Sequence, residues 1–329
     1  MGRELRIAAS ATEPGALPDH VHVALVADGE LIDYALWRPA APDGVGDLHR
    51  GRVIARLPAL GGAFVALAGA EGFLPDTEGA AGQSPGAALL VRITRAAQGG
   101  KGPRLSARLA ADEPAPPAGP APALVRRGPT PAERLAALAP EAPALIDNPA
   151  LAALLRPALG PRLRLVPAAF DSALQDAVAE LAAPTVPLPG GGAMHIHPTP
   201  ALTAIDLDAG AASAARGGKD ANQLRFNVAA IAVLARQIRL RNLGGAIVVD
   251  FAGLSVRGRA RLGPALAAAL EADPLRPRFL GFTALGLAEI LRPRVHPPLH
   301  EALAGDGERR PGGAAPLDPP PGDWSPGPR

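Results

Sequence analysis

Ala201-Leu-Thr-Ala-Ile-Asp206, the helical pattern of residues 223 to 241, and Ala246-Ile-Val-Val-Asp250 follow one another, and this succession decides the fold. Two short apolar runs each end in an aspartate. Between them Phe226, Ala230, Val233, Leu234 and Ile238 recur at three- and four-residue spacing, which makes one apolar helical face. Gly244-Gly245 past Arg241 suits a helix stop. A strand, a crossover helix and a second strand form a unit whose strands are parallel and often adjacent, about 4.8 Å apart. Asp206 and Asp250 then emerge together at the carboxyl edge of one sheet, where open α/β sheets bind ligands. Two carboxylates held that close share a proton or share a cation, so the pair is a candidate site for a hard metal ion. Asp208 stands two residues beyond Asp206, on the same strand face, as a candidate further ligand. One aspartate alone reads better as a cap for the helix after its strand; two on one unit inside a basic segment favour the site.

That segment carries much of the positive charge: residues 201 to 300 hold 13 Arg or Lys against 7 Asp or Glu. The whole chain of 329 residues has 33 basic and 31 acidic side chains, a net charge of +2 and a pI near 9.6, and only Lys101 and Lys219 are lysine. Guanidinium groups pair bidentately with phosphate, which makes Arg236, Arg239 and Arg241, at the end of the expected helix, candidate nucleic-acid contacts. The bland alternative has equal weight, since cations at a helix C-terminus answer its dipole by about 0.3–1 kcal/mol, and a GC-rich genome inflates arginine codons. With no cysteine, disulfides, thiolate zinc sites and cysteine nucleophiles are excluded. Neither a signal peptide nor a run of ~20 apolar residues is found, so a soluble cytoplasmic protein without a membrane partner is expected.

Outward from the aspartates, the N-terminal half reads as β structure. Asp28-Gly29 between apolar runs predicts a hairpin, and residues 1–48 supply the first strands of a core. Five short strands over residues 49–109 predict an inserted barrel of the OB type. Phe64 and Phe73 lie on its candidate strands and Lys101 in a Gly-rich loop. Bases stack on exposed aromatics of such barrels, although core packing is the default for phenylalanine. Residues 110–143 read as a Pro/Ala-rich linker with a helical pattern at 131–138, residues 144–303 as the catalytic α/β domain, and 304–329 as a disordered tail. Within the α/β domain further helices are expected at 150–155, 171–181 and 257–272, and a strand-helix pair at 279–291. His195 and His197 read as ordinary strand residues, and Gly190-Gly-Gly as a hairpin turn.

The run from Phe226 to Phe251, with its Arg-rich helix end, Leu-Gly-Gly, an apolar strand and Asp-Phe, resembles the signature of the ribonuclease E/G family. Ala201-Leu-Thr-Ala-Ile-Asp-Leu-Asp-Ala-Gly210 with Arg216-Gly-Gly resembles the family's upstream motif, and Leu145-Ile-Asp-Asn-Pro149 and Gly286 to Arg294 resemble a segment ahead of the catalytic unit and the last core helix. The resemblance implies a ribonuclease H-like core with an inserted OB-fold domain, and a magnesium-dependent endoribonuclease acting on single-stranded RNA. It implies that Asp206 and Asp250 bind Mg2+ and that Phe64, Phe73 and Lys101 contact RNA. The departures have consequences as well. Asp208 replaces the family's usual Asn, the region between about 110 and 143 is too short for its sensor of a monophosphorylated RNA end, and Ala284 stands where an arginine would assist that sensing. Lacking cysteine, the chain cannot form the family's zinc-linked tetramer, and a homodimer is the assembly expected instead. The alternative function is an RNA-binding protein of the same fold with weak or no cleavage.

Overall fold

Apolar runs buried on both faces set the first strands, β1 (Arg3–Ala9), β2 (Val21–Ala27) and β3 (Glu30–Trp37), which pair as an antiparallel meander. The expected Asp28-Gly29 turn joins β2 to β3, with φ of 50° and 83° at the two residues. The computed structural model describes residues 2–10, 17–109, 119–210 and 218–304. The expected disordered tail, from 305 on, and linker residues 110–118 therefore lie outside the described residues.

The expected barrel follows. Strands β4 (Leu48–Leu57), β5 (Gly62–Leu67), β6 (Ala70–Pro75), β7 (Ala88–Arg95) and β8 (Arg104–Ser106) run in the order β5-β6-β8-β7-β4, and β4 pairs with β5 to close it. Val53, Val65, Leu74, Val91, Ile93 and Leu105 fill the interior. So narrow a barrel needs small residues where strands face each other: a Cβ on Gly72 would lie 2.8 Å from Leu105.

Beyond the barrel the linker expectation is corrected. β9 (Ala123–Arg126) adds to the barrel by pairing with β4, and α1 (Pro131–Ala137), started by a Thr130–Glu133 capping box, packs on β1, β2 and β3. Then come β10 (Ala144–Ile146), α2 (Pro149–Leu159, capped by Asn148) and β11 (Leu163–Leu165). Both new strands run parallel to β1 and complete a five-stranded sheet in the order β11-β10-β1-β2-β3. Leu5, Ile7, Val23 and Leu25 bury one face against α1 and α2. Ala24, Val26, Leu31 and Tyr34 bury the other against α3 (Ser172–Ala179) and more distant residues, including Leu240.

A second α/β sheet follows from β12 (Thr185–Leu188), β13 (Gly192–Pro198), β14 (Leu202–Asp208), α4 (Lys219–Leu240), β15 (Gly245–Asp250), α5 (Val256–Leu270), β16 (Arg278–Phe282) and β17 (Ala288–Arg292), with α6 (Leu299–Ala304) ending the described chain. Its order is β12-β13-β14-β15-β17-β16, and β14–β15 is its one parallel pair. This corrects two expectations. Residues 144–303 are divided between two sheets, because β10 and β11 join β1 whereas the aspartate-bearing strands build a separate sheet. Residues 279–291 form a strand-turn-strand hairpin rather than a strand and a helix. Ala288, Ile290 and Arg292 are buried while Glu289 and Leu291 are exposed, a period of two that pairing with β15 rewards.

Arg292 ties that hairpin to the end of α5. Its Nε donates to Asp273 Oδ2 at 2.7 Å and its Nη1 to Asn242 Oδ1 at 2.7 Å, with Asp273 and Arg292 each 3% exposed. Among the described residues no helix is long and apolar enough to cross a membrane. Asp273→Ala strands a buried guanidinium and is expected to lower the unfolding free energy by about 3–5 kcal/mol. Replacing both partners by apolar residues is expected to recover most of that loss in urea denaturation.

Candidate metal and nucleic-acid site

On β14, Thr203, Ile205 and Leu207 point inward, and on β15 so do Ile247 and Val249; Ile205, Leu207, Ile247 and Val249 pack against Phe226, Ala230, Ile231 and Leu234 of α4. The alternate residues must face the other way. Asp206 and Asp250 therefore share the outer face, both exposed, and they are direct partners in the parallel register of β14 and β15. Neighbouring strands at that register are about 4.8 Å apart. The expected juxtaposition holds, on an open sheet face: two cavities among the described residues, of about 570 and 650 Å3, include neither aspartate.

Asp208 lies one pleat further along the same face, beyond the last pair with β15. Its Oδ1 accepts a hydrogen bond from the Gly210 amide at 2.8 Å, which turns the chain out of the strand. His195 is the direct partner of Asp206 on the other side, and its Nδ1 is 3.1 Å from Thr185 Oγ1. The row Thr185, His195, Asp206, Asp250 thus crosses four strands. Sequence spacing showed that His195 and His197 share a face but not that this face belongs to the aspartates. Two exposed carboxylates and room for solvent suit a hard cation that keeps several of its waters. Among the described residues no group of three His, Cys, Asp or Glu side chains is placed to hold a metal.

Behind the aspartates sits a residue that the sequence reading passed over. Asn227, 0% exposed on the inner face of α4, donates through Nδ2 to Ala252 O at 2.9 Å and to Gln223 O at 2.8 Å, and its Oδ1 accepts from the Ala252 amide at 3.0 Å. The signal was present: Asn227 precedes Ala230, Ile231, Leu234 and Ile238 on the stripe that should be wholly apolar.

On the barrel, Phe64 and Phe73 are cross-strand partners on β5 and β6, with ring centroids 5.9 Å apart and an interplanar angle of 71°. Both are partly exposed and stand apart from the barrel core, so they form an outward aromatic pair. Lys101 is exposed in the turn leading into β8, whose Arg104, also exposed, pairs with Phe73. The three candidates thus share one wall, and Arg104 joins them through β6–β8 pairing that no local pattern announces.

The three arginines of α4 fall elsewhere. The helix returns from the carboxyl edge to the opposite one, so its last turns lie at the far end of the sheet from Asp206 and Asp250. Arg236 donates through Nε and Nη2 to Leu31 O of β3 at 3.0 and 2.9 Å, Arg239 through Nη1 to Ala272 O at 3.2 Å, and Arg241 through Nη1 to Ala183 O at 2.6 Å and through Nε to Gln237 Oε1 at 2.8 Å. Arg241 is 6% exposed, and burial pulls its guanidinium pKa down. The candidate RNA contacts Arg236, Arg239 and Arg241 thus lie away from the aspartates and join α4 to its surroundings by hydrogen bonds, chiefly to carbonyls.

Residues 156–295 match the sequence profile described as the Ribonuclease E/G family. Among curated proteins the chain is 40% identical over 131 residues to Ribonuclease E of Nostoc sp. (strain PCC 7120), covering 40% of this chain and 19% of that protein. It is 35% identical over 173 residues to Ribonuclease E of Escherichia coli K12, covering 48% and 16%, and 36% identical over 122 residues to Ribonuclease G of the same strain, covering 37% and 25%. The matched stretch thus spans a quarter or less of each of these relatives.

Arg236→Ala removes both hydrogen bonds to Leu31 O. It is expected to cost about 1.5–3 kcal/mol of stability in thermal or urea unfolding, while leaving affinity for a single-stranded oligonucleotide unchanged in a filter-binding assay.

Proposed function

We propose that this chain, which belongs to the ribonuclease E/G family through residues 156–295, is a magnesium-dependent endoribonuclease acting on single-stranded RNA. One observation carries the reading: Asp206 stands directly opposite Asp250 in a parallel strand pair, with both carboxylates on the open face. The two side chains would hold Mg2+. When bound, Mg2+ supplies Lewis-acid stabilisation of the charge that develops on the phosphate, and acidifies water. Asp206 and Asp250 fix the place at which that stabilisation acts, and their exposure leaves the scissile phosphate free to approach. The aromatic pair Phe64–Phe73 offers bases a stacking surface, and Lys101 and Arg104 on the same wall offer charge to the backbone. RNA as substrate accords with the family; the cytoplasm as the place of action and a homodimer without a zinc link, in a chain that has no cysteine, belong to the same proposal. A ribonuclease H-like catalytic core over residues 144–303, completed by the first strands, is part of the same proposal and is supported by the family resemblance.

The alternative, an RNA-binding protein with weak or no cleavage, is favoured by one observation, the lack of a third side-chain ligand among the described residues. The two readings separate on turnover. Asp206→Asn and Asp250→Asn are each expected to lower magnesium-dependent cleavage of an unstructured RNA by more than about 100-fold, beyond the usual effect of losing an outer partner of a metal ligand. Undiminished cutting by either variant overturns the assignment, and wild-type protein that binds RNA without turnover establishes the alternative. Phe64→Ala and Phe73→Ala are each expected to weaken RNA binding by about 1–3 kcal/mol per stacked base, measured by fluorescence anisotropy at fixed salt.

A further inference from the structure

Asp250 is the last residue of β15, and the chain leaves the sheet through Phe251, Ala252, Gly253 and Leu254 before Ser255 caps α5. A strand-terminal side chain is only as well placed as the loop that holds the strand end, because pairing with β14 stops at this residue. The loop is gripped from below. Asn227 receives the Ala252 N–H on Oδ1 and gives Nδ2 to the Ala252 carbonyl, satisfying both backbone polar groups of the residue two positions past Asp250. The same Nδ2 also donates to Gln223 O, so the carboxamide is itself fixed to the preceding turn of α4. The packing leaves no slack: Phe251 is 1% exposed, and Gly253 sits at φ +53° where a side chain would collide with the Gln223 carboxamide. α4 spans the crossover between the strands that carry Asp206 and Asp250, so Asn227 refers one aspartate to the element that also sets the other.

We propose that Asn227 is a positioning residue for Asp250: its two-way hydrogen bond to Ala252 sets the direction in which the carboxylate leaves the sheet, and through it the affinity of the aspartate pair for a divalent cation. The inference rests on Asp206 and Asp250 being a cation site. Outer partners of metal ligands are worth about 10- to 100-fold in metal affinity or activity. Asn227 cannot be replaced by a smaller or apolar side chain without leaving the Ala252 N–H and C=O unpaired beneath the site.

The test uses the full chain and Mn2+ alone as probe, with free Mn2+ read by electron paramagnetic resonance in the absence of RNA. Asn227→Ala is expected to weaken Mn2+ binding about 10- to 100-fold and to lower kcat by a similar factor, with KM and RNA affinity unchanged. Asn227→Asp keeps an acceptor for the Ala252 N–H but turns an oxygen toward the two carbonyls, and is expected to fall between wild type and Asn227→Ala. Ile238→Ala, in the same helix and far from the loop, controls for destabilisation: it is expected to lower the melting temperature and leave Mn2+ affinity intact. Asp250→Asn separates the layers of the argument. If Asp250→Asn abolishes Mn2+ binding while folded Asn227→Ala and Asn227→Asp bind as wild type does, positioning by Asn227 is overturned and the cation site stands. If Asp250→Asn binds Mn2+ normally, the cation-site reading itself falls. Should Asn227→Ala fail to fold, Asn227→Asp alone decides, and unchanged affinity in that variant rejects the proposal.

Discussion

The direct pairing of β14 with β15, held parallel because α4 fills the crossover between them, is the constraint on which the rest depends. A parallel pair cannot be closed by a tight turn; it needs a connection long enough to return across the sheet. The 22 residues of α4 provide it, and the buried stripe Phe226, Ala230, Ile231, Leu234 and Ile238 keeps the helix on one face. At about 1.5–3 kcal/mol for each fully buried large apolar side chain, that stripe outweighs any cost of placing two carboxylates side by side, because both remain in water on the opposite face. The sheet thus separates its tasks by side: apolar packing behind, charge in front.

The same helix links the two sheets. Its last turns carry Arg236, which reaches Leu31 on β3, and Leu240, which enters the apolar cluster under the five-stranded sheet. Guanidinium groups suit this work because several fixed donors can saturate carbonyls at once, and carbonyls left bare at a buried junction would be costly. The guanidinium groups at the end of α4 are therefore engaged in joining parts of the fold. Exposed charge and exposed aromatic rings meet elsewhere, on the barrel wall formed by β5, β6 and β8.

Much of this could be read from local pattern. The hairpin at Asp28-Gly29, the five barrel strands, the helix before Gly244-Gly245 and the two strands that carry the aspartates follow from period-two and 3.6-residue burial patterns and from turn residues, which act over a few positions. The errors share one physical origin. Residues 279 to 291 read equally well as strand or helix until pairing with β15 rewards one period. Arg236, Arg239 and Arg241 read as solvated or phosphate-facing until the carbonyls of Leu31, Ala272 and Ala183 arrive from distant parts of the chain.

What the sequence by itself determined is the kind of each element and the chemistry it carries: a barrel, an α/β unit, and a carboxylate late in each of two strands, because side-chain size, polarity and glycine placement are local properties. What only the tertiary structure decided is adjacency. It set His195 beside Asp206, separated the aspartate sheet from the sheet built on β1, and drew Asn227 under Ala252. Strand order and side-chain partnership come from burial and hydrogen bonds between segments remote in the chain, and no window of neighbouring residues contains both partners.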